Sequence, residues 1–371
     1  MDVREKLPAR RGEGETPTGR RAVECNNRAV FLQMEGDLDG AQAQFEEALA
    51  IEPDNATAMS NLGFLLGQRG EMTDAIEHYE KALSIDPKRD MAWTNLGTAQ
   101  VIQGDLETGM DSLRHATRLN DRNALAWDGL GKVHFACGRP KDAERSWRAA
   151  LAVSPSESRY LIALAMAVAA QRRTDEAIHL LQRAVRLDPD SAEGWNQLGV
   201  VLMMRQDLGS AGEALKRALA IAPENTSARH RLALVHMARG DHQGAARELG
   251  RVLIFDAENV EARIDLGILS LASEDHAEAC EYLSEARART PDHARCKYYL
   301  ALALQGLGRE GEASRELKLL AAQPNGEYSR LAREQLRMPG TATDPAADRG
   351  AIQEAAAPHQ NAGPEEDSHA V

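Results

Sequence analysis

The chain repeats itself every 34 residues, and that period constrains its fold more than any other feature. Residues 56–89, ATAMSNLGFLLGQRGEMTDAIEHYEKALSIDPKR, fall on a copy of themselves when moved by 34 residues in either direction. The register holds without insertion through nine repeats: 22–55, 56–89, 90–123, 124–157, 158–191, 192–225, 226–259, 260–293 and 294–327. Units built this way contact only their neighbours, so no single large core is needed. Within each repeat, apolar residues recur at helical spacing in two segments separated by a short turn.

Several columns of the repeat have a direct physical reading. The turn slot, position 15, holds Gly36, Gly70, Gly104, Gly138, Gly240 and Gly308. A helix that ends in a left-handed residue favours glycine, because a Cβ is penalised there. Arg172, Gln206 and Glu274 occupy the same slot, and the left-handed geometry would strain each by about 1 kcal/mol. Positions 8 and 20 are Gly or Ala in all nine repeats, for example Gly63 with Ala75 and Gly97 with Gly109. Such a restriction marks a helix crossing too close for a larger side chain. Position 7 is Leu in eight repeats and Arg28 in the first. Position 32 is Pro in six, which ends the second helix and sets the turn into the next repeat.

These columns resemble the tetratricopeptide repeat family, whose pattern is W-x2-L-G-x2-Y followed by A-x3-F, A and P over 34 residues. The first half of the pattern appears as Trp93, Leu96, Gly97, again as Trp127, Leu130, Gly131, and again as Trp195, Leu198, Gly199. The second half appears as Ala41, Phe45, Ala48, Pro53 and as Ala75, Tyr79, Ala82, Pro87. The resemblance implies an all-α, right-handed α-solenoid of nine helix-turn-helix repeats. First helices would line a concave groove and second helices would lie outside. Residues 328–338, YSRLAREQLRM, form one more amphipathic helix, expected to cap the last repeat. The charged leader 1–21 and the acidic tail 339–371 have too little to bury and are expected to be disordered.

Bulk chemistry removes whole classes of function. The net charge of −13 argues against nucleic-acid binding. No run of about 18 apolar residues exists to span a membrane, and no apolar segment follows the basic N-terminus as a secretory signal requires. The four cysteines show no C-x-x-C spacing and read as reduced thiols of a cytoplasmic protein. No metal-ligand spacing, phosphate loop or nucleophile elbow occurs. No cofactor is expected, and the chain reads as a non-enzyme, because the repeats commit their residues to packing.

The groove-facing positions implied by the resemblance are 2, 5, 6, 9, 12 and 13. Position 6 carries Asn27, Asn61 and Asn95, and position 5 carries Asn196 and His230. Amides donate and accept, so a ladder of them can bind an extended backbone whatever its side chains. The arrangement resembles the asparagine ladder of O-GlcNAc transferase repeat domains at this one end. Position 9 carries Phe64, Lys132, Met166, Val200 and Leu234, with Met203 at position 12 and Arg231 at position 6. Together they suggest an apolar, methionine-bearing floor from repeat 4 to repeat 8. The same side chains also suit packing between adjacent first helices. The residue set of a carboxylate clamp for chaperone C-termini is missing from every three consecutive repeats.

The reading that follows is a scaffold that holds a protein or peptide segment in its groove. The alternatives are a regulatory or targeting subunit of a separate enzyme, such as an O-linked glycosyltransferase, and a self-associating assembly. Repeats 1 and 2 carry thirteen acids and five bases, a field that steers basic partners. Repeat 3, with Gly109 and Asp121 in the Ala and Pro columns, and repeat 5, with Arg172, are expected to open first.

Overall fold

The computed structural model describes residues 17–337. Among the described residues there are nineteen α-helices and no strands. The chain divides after Ser156 into two compact units, the N-terminal and C-terminal blocks. The N-terminal block holds α1 (Pro17–Met34), α2 (Leu38–Ile51), α3 (Ala56–Gln68), α4 (Met72–Ile85), α5 (Asp90–Ile102), α6 (Leu106–Leu119), α7 (Ala124–Ala136) and α8 (Pro140–Val153). The C-terminal block opens with α9 (Ser158–Ala170), α10 (Thr174–Leu187), α11 (Ala192–Met204), α12 (Leu208–Ile221), α13 (Thr226–Ala238) and α14 (His242–Phe255). It continues through α15 (Val260–Ala272), α16 (His276–Arg289), α17 (Ala294–Gly306), α18 (Glu310–Ala321) and α19 (Glu327–Arg337). Each repeat is therefore one antiparallel helix pair, and the chain is an all-α solenoid.

Local chemistry fixes the ends of these helices. Asn55, Asn123, Asn225 and Asn259 close a repeat and cap the next first helix; the Ala58 N–H, for instance, donates to Asn55 Oδ1 at 3.0 Å. Asp37, Asp105, Asp207, Asp241 and Asp275 cap second helices in the same way. Each such cap contributes about 1 kcal/mol. Between the two helices the chain turns through a left-handed residue. Arg172, Gln206 and Glu274 take that conformation too, with φ of 63°, 65° and 61°.

Small residues set the helix crossings. The alanines of position 20 are fully buried, Ala41, Ala75 and Ala143 among them. In repeat 3 both crossing residues are glycine. A Cβ on Gly97 would lie 2.7 Å from the Gly109 carbonyl oxygen, and one on Gly109 would lie 2.8 Å from the Gly97 oxygen. Gly109 thus suits the close approach of α5 and α6, where a larger residue would clash.

Position 4 links one repeat to the next by a hydrogen bond. The indole Nε1 atoms of Trp93, Trp127 and Trp195 donate to the carbonyls of Pro87, Asp121 and Pro189 at 2.9, 2.8 and 2.9 Å. In later repeats the guanidinium groups of Arg229 and Arg263 donate to the carbonyls of Pro223 and Ala257. Two unlike side chains, each with a flat N–H donor at the same reach, clamp the same turn. The three tryptophans are half-buried by this arrangement, whereas Trp147 is core.

The solenoid's two ends depart from the repeat pattern. α1 begins at Pro17, inside the stretch expected to be disordered, because proline suits the first helical turn and Arg21 reaches Glu47 at 2.8 Å. At the other end, α19 lays Tyr328, Leu331 and Leu336 against the core of the last repeat. Residues 1–16 and 338–371, including the acidic tail, lie outside the described residues.

Candidate functional site

The inner-face positions behave differently in the two blocks. In the N-terminal block they leave an open surface. Asn27 is exposed, and Asn61 and Asn95 are half-buried. Asn61 Nδ2 donates to Asn26 Oδ1 at 3.0 Å, and Gln33 Nε2 donates to Gln68 Oε1 at 2.6 Å. These two bonds tie α1 to α3 edge to edge. No hydrogen bond engages the Asn27 or Asn95 side chains within the described residues. Phe64 is 46% exposed and Ile102 is 50% exposed. Lys132 is exposed, with its ammonium 3.0 Å from Asp128 Oδ2. Asp128 is itself buried and accepts the Trp147 indole N–H at 2.9 Å. The surface therefore combines amide donors and acceptors, two apolar side chains and one cation held at a fixed place.

In the C-terminal block most of the same positions are filled, although Ala163 and Gln197 stay half-buried. Val200, Met203 and Leu234 are buried, and Met166 is half-buried. The expected apolar floor is not an open stripe there; side chains of that length reach the adjacent helices and pack against them. Asn196 is likewise buried and accepts Arg231 Nη1 at 3.2 Å. His230 Nε2 lies 2.6 Å from Asp265 Oδ2, and Arg295 Nη2 donates to Asp265 Oδ1 at 2.7 Å. Glu261 extends the network to His293 at 2.8 Å and to Arg295 at 3.5 Å. Burial pushes the Asp265 carboxyl up, but Arg295 and His230 outweigh it and hold the group below its ordinary range. Glu261 follows the same balance, with His293 as the leading partner.

One bond recurs across both blocks and was not foreseen. A position 5 residue bonds the position 6 residue of the next repeat in Asn26–Asn61, Asn196–Arg231 and His230–Asp265. Part of the amide ladder is thus a stitch between first helices. The spacing of 35 residues between polar partners is visible in the sequence once the register is known.

The end of the solenoid also carries an apolar side chain that sequence reading passed over. Phe31 is 60% exposed, although its column is buried in every other repeat, as at Leu65, Val133 and Val201. The neighbouring columns announce the change: Arg28 stands where other repeats have Leu, and Glu24 where they have small residues or Tyr160.

Among the described residues no group of three or more metal-ligating side chains converges, and no helix is long and apolar enough to cross a membrane. All four cysteines are free, and burial pushes the Cys296 thiol up to about 12.

Comparison with known proteins agrees with the repeat geometry. Residues 8–230 match the family model for the C-terminal domain of cilia and flagella-associated protein 70, a tetratricopeptide-type domain. Residues 180–295 match the tetratricopeptide domain of cytochrome c-type biogenesis protein H, and residues 264–327 match a general tetratricopeptide repeat model. No curated protein matches the chain. Among solved structures, the Cut9–Hcn1 assembly of the APC/C aligns with a TM-score of 0.56 at 16% identity, over 75% of this chain and 54% of that one. PilF of Pseudomonas aeruginosa aligns with a TM-score of 0.51 at 21% identity, over 57% of this chain and 96% of that one. YrrB, described as a tetratricopeptide protein with an unusual peptide-binding site, aligns with a TM-score of 0.43 at 24% identity, over 50% of this chain and 96% of that one. A 34-residue period, paired helices joined by left-handed turns and a family model covering more than half the sequence lead to one assignment: the chain belongs to the tetratricopeptide repeat family.

Proposed function

We propose that the protein is a non-catalytic interaction scaffold whose N-terminal block holds an extended segment of a partner protein. The observation that carries this reading is the contrast in exposure along one set of repeat positions. Asn27, Asn95, Phe64 and Lys132 remain available to a ligand, while Val200, Arg231, Leu234 and Asp265, at the same positions of the C-terminal block, are buried. An extended backbone presents alternating N–H and C=O groups, which the amides satisfy without regard to sequence. Phe64 and Ile102 add apolar contact, and Lys132 adds preference for an acidic side chain at one point. The negative balance of the first two repeats favours basic residues elsewhere in the same segment. The chain's composition suits a cytoplasmic protein that binds proteins and not nucleic acid.

The test is affinity capture from the source organism's lysate with the full chain. Asn95→Ala combined with Phe64→Ala should lose the captured partners, and their binding should weaken by about tenfold or more when measured with purified components. Capture that is unchanged in this variant would remove the inner face from the interaction.

A further inference from the structure

The N-terminal block carries two crevices at equivalent places in the repeat, and their charges are opposite. One, of about 530 Å³, lies between repeats 1 and 2 and is walled by Glu46, Glu71 and Asp74. The other, of about 420 Å³, lies between repeats 3 and 4 and is walled by Arg114, Arg139 and Arg145. Glu46 and Arg114 occupy the same slot of successive repeat pairs, and so do Glu71 and Arg139. The backbone builds the crevice; the sequence sets the sign of the ligand it suits.

We propose that the basic crevice between repeats 3 and 4 binds a phosphate monoester. Its three guanidinium groups face one carboxylate, Asp142, which is paired with Arg145. That leaves Arg114 and Arg139 to meet a dianion. Arg114 also touches Asp111 at 3.1 Å, an exposed pair on the rim that contributes little. Guanidinium forks match phosphate oxygens in geometry as well as charge. The volume lies in the range of small-ligand sites and leaves room for the group that carries the phosphate. Trp127 offers that group an apolar wall, since its indole N–H is already committed to the Asp121 carbonyl.

Two features of this crevice support a ligand here. Position 16 is an N-capping aspartate in five repeats and an arginine in three; in repeat 4 it is Arg139, which lines the crevice, and α8 starts without a side-chain cap. Stability is given up at the place where a cation is gained. Position 11 is Leu66 in the acidic crevice and His134 in the basic one. His134 is buried, and its Nδ1 has no hydrogen-bond partner among the described residues. Burial holds the His134 pKa down. Asp142 opposes this, and Arg114, Arg139 and Arg145 add to it. An anion seated against the arginines reverses their effect and raises that pKa. None of these residues belongs to the inner-face set, so the site can be occupied whether or not a peptide lies there.

The test titrates the full chain with inorganic phosphate, phenyl phosphate and a phosphoserine peptide beside its unphosphorylated twin, followed by calorimetry and by NMR of the histidine resonances. Saturable binding of an ester probe is expected, with the His134 titration moving to higher pH in its presence. Arg114→Gln with Arg139→Gln should weaken binding by about tenfold or more and abolish that movement. Glu46→Gln with Glu71→Gln, in the sister crevice, should leave both unchanged. Preference for the phosphopeptide over its twin assigns the ester to a modified protein, and binding of phenyl phosphate alone assigns it to a small molecule. Absence of saturable binding by every probe, or binding that survives the double arginine substitution, overturns the proposal.

Discussion

The two blocks are built from the same repeat, yet one leaves its first-helix face open and the other closes it. The N-terminal block places Asn27, Asn61, Asn95 and Gly129 at position 6, and these are exposed or half-buried. From repeat 7 onward the C-terminal block places Arg231, Asp265 and Tyr299 there, and these are buried. Side chains of that reach span the gap between neighbouring first helices and turn an open surface into core. The period therefore fixes where a surface lies, and side-chain volume at a few columns decides whether it is available.

The sharpest way to break this comparison is to place a charge on each face. Leu234→Asp should cost about 3 kcal/mol or more, because an unpaired carboxylate would enter a dry site. Phe64→Asp should cost within about 0.5 kcal/mol, as exposed substitutions do. Urea unfolding of both variants decides the matter, and equal costs would erase the distinction between open and closed faces.

Next in size is the ion network. Asp265→Asn removes the carboxylate shared by His230 and Arg295 and should cost about 2–3 kcal/mol. Hydrogen exchange should accelerate most in α15 and α17; uniform acceleration across the chain would contradict a local role. Acid probes the same group without mutation. The Asp265 pKa is lowered in the folded state, so its stabilisation is complete above the unfolded value of about 3.9 and is lost as pH falls below it. Glu261, also lowered, adds to the loss over the same range. In the N-terminal block Glu47 and Glu77 are lowered as well, but both sit at the exposed surface, where solvent screens their pairs. Exchange measured at descending pH should open α15 to α17 before α3 to α5.

The smallest effect concerns the turns. Arg172→Gly in the C-terminal block should add up to about 1 kcal/mol by relieving the left-handed backbone, and Gly70→Ala in the N-terminal block should cost a similar amount. Thermal unfolding of the two variants should move in opposite directions. Equal shifts of one sign would show that the turn conformation is not what distinguishes the slots.

Much of the fold was legible in advance because each column answers to one local demand. Glycine at position 15, alanine at position 20 and proline at position 32 each report a backbone or crossing geometry that tolerates few alternatives. Gly109 shows the limit of this reasoning. Judged alone it weakens a helix, but opposite Gly97 it sits where a Cβ would lie 2.8 Å from the facing carbonyl oxygen. The site was less legible. Phe64 is exposed in its column, but Val200 and Leu234 share that column and are buried. Hydrophobicity and position do not say which neighbour a side chain will meet.

By itself the sequence determined the helical pairs, their caps, their turns and the order in which they stack, since these depend on interactions within one repeat or between adjacent ones. Only the tertiary structure decided that Trp and Arg clamp the same carbonyl, that Asn26 is stitched to Asn61, and that Phe64 and Lys132 are exposed in the column where Val200 and Leu234 are buried. Those outcomes depend on the distance between side chains 30 or more residues apart. That distance follows from how closely helices approach, and the approach is a property of packed volume, not of any single residue.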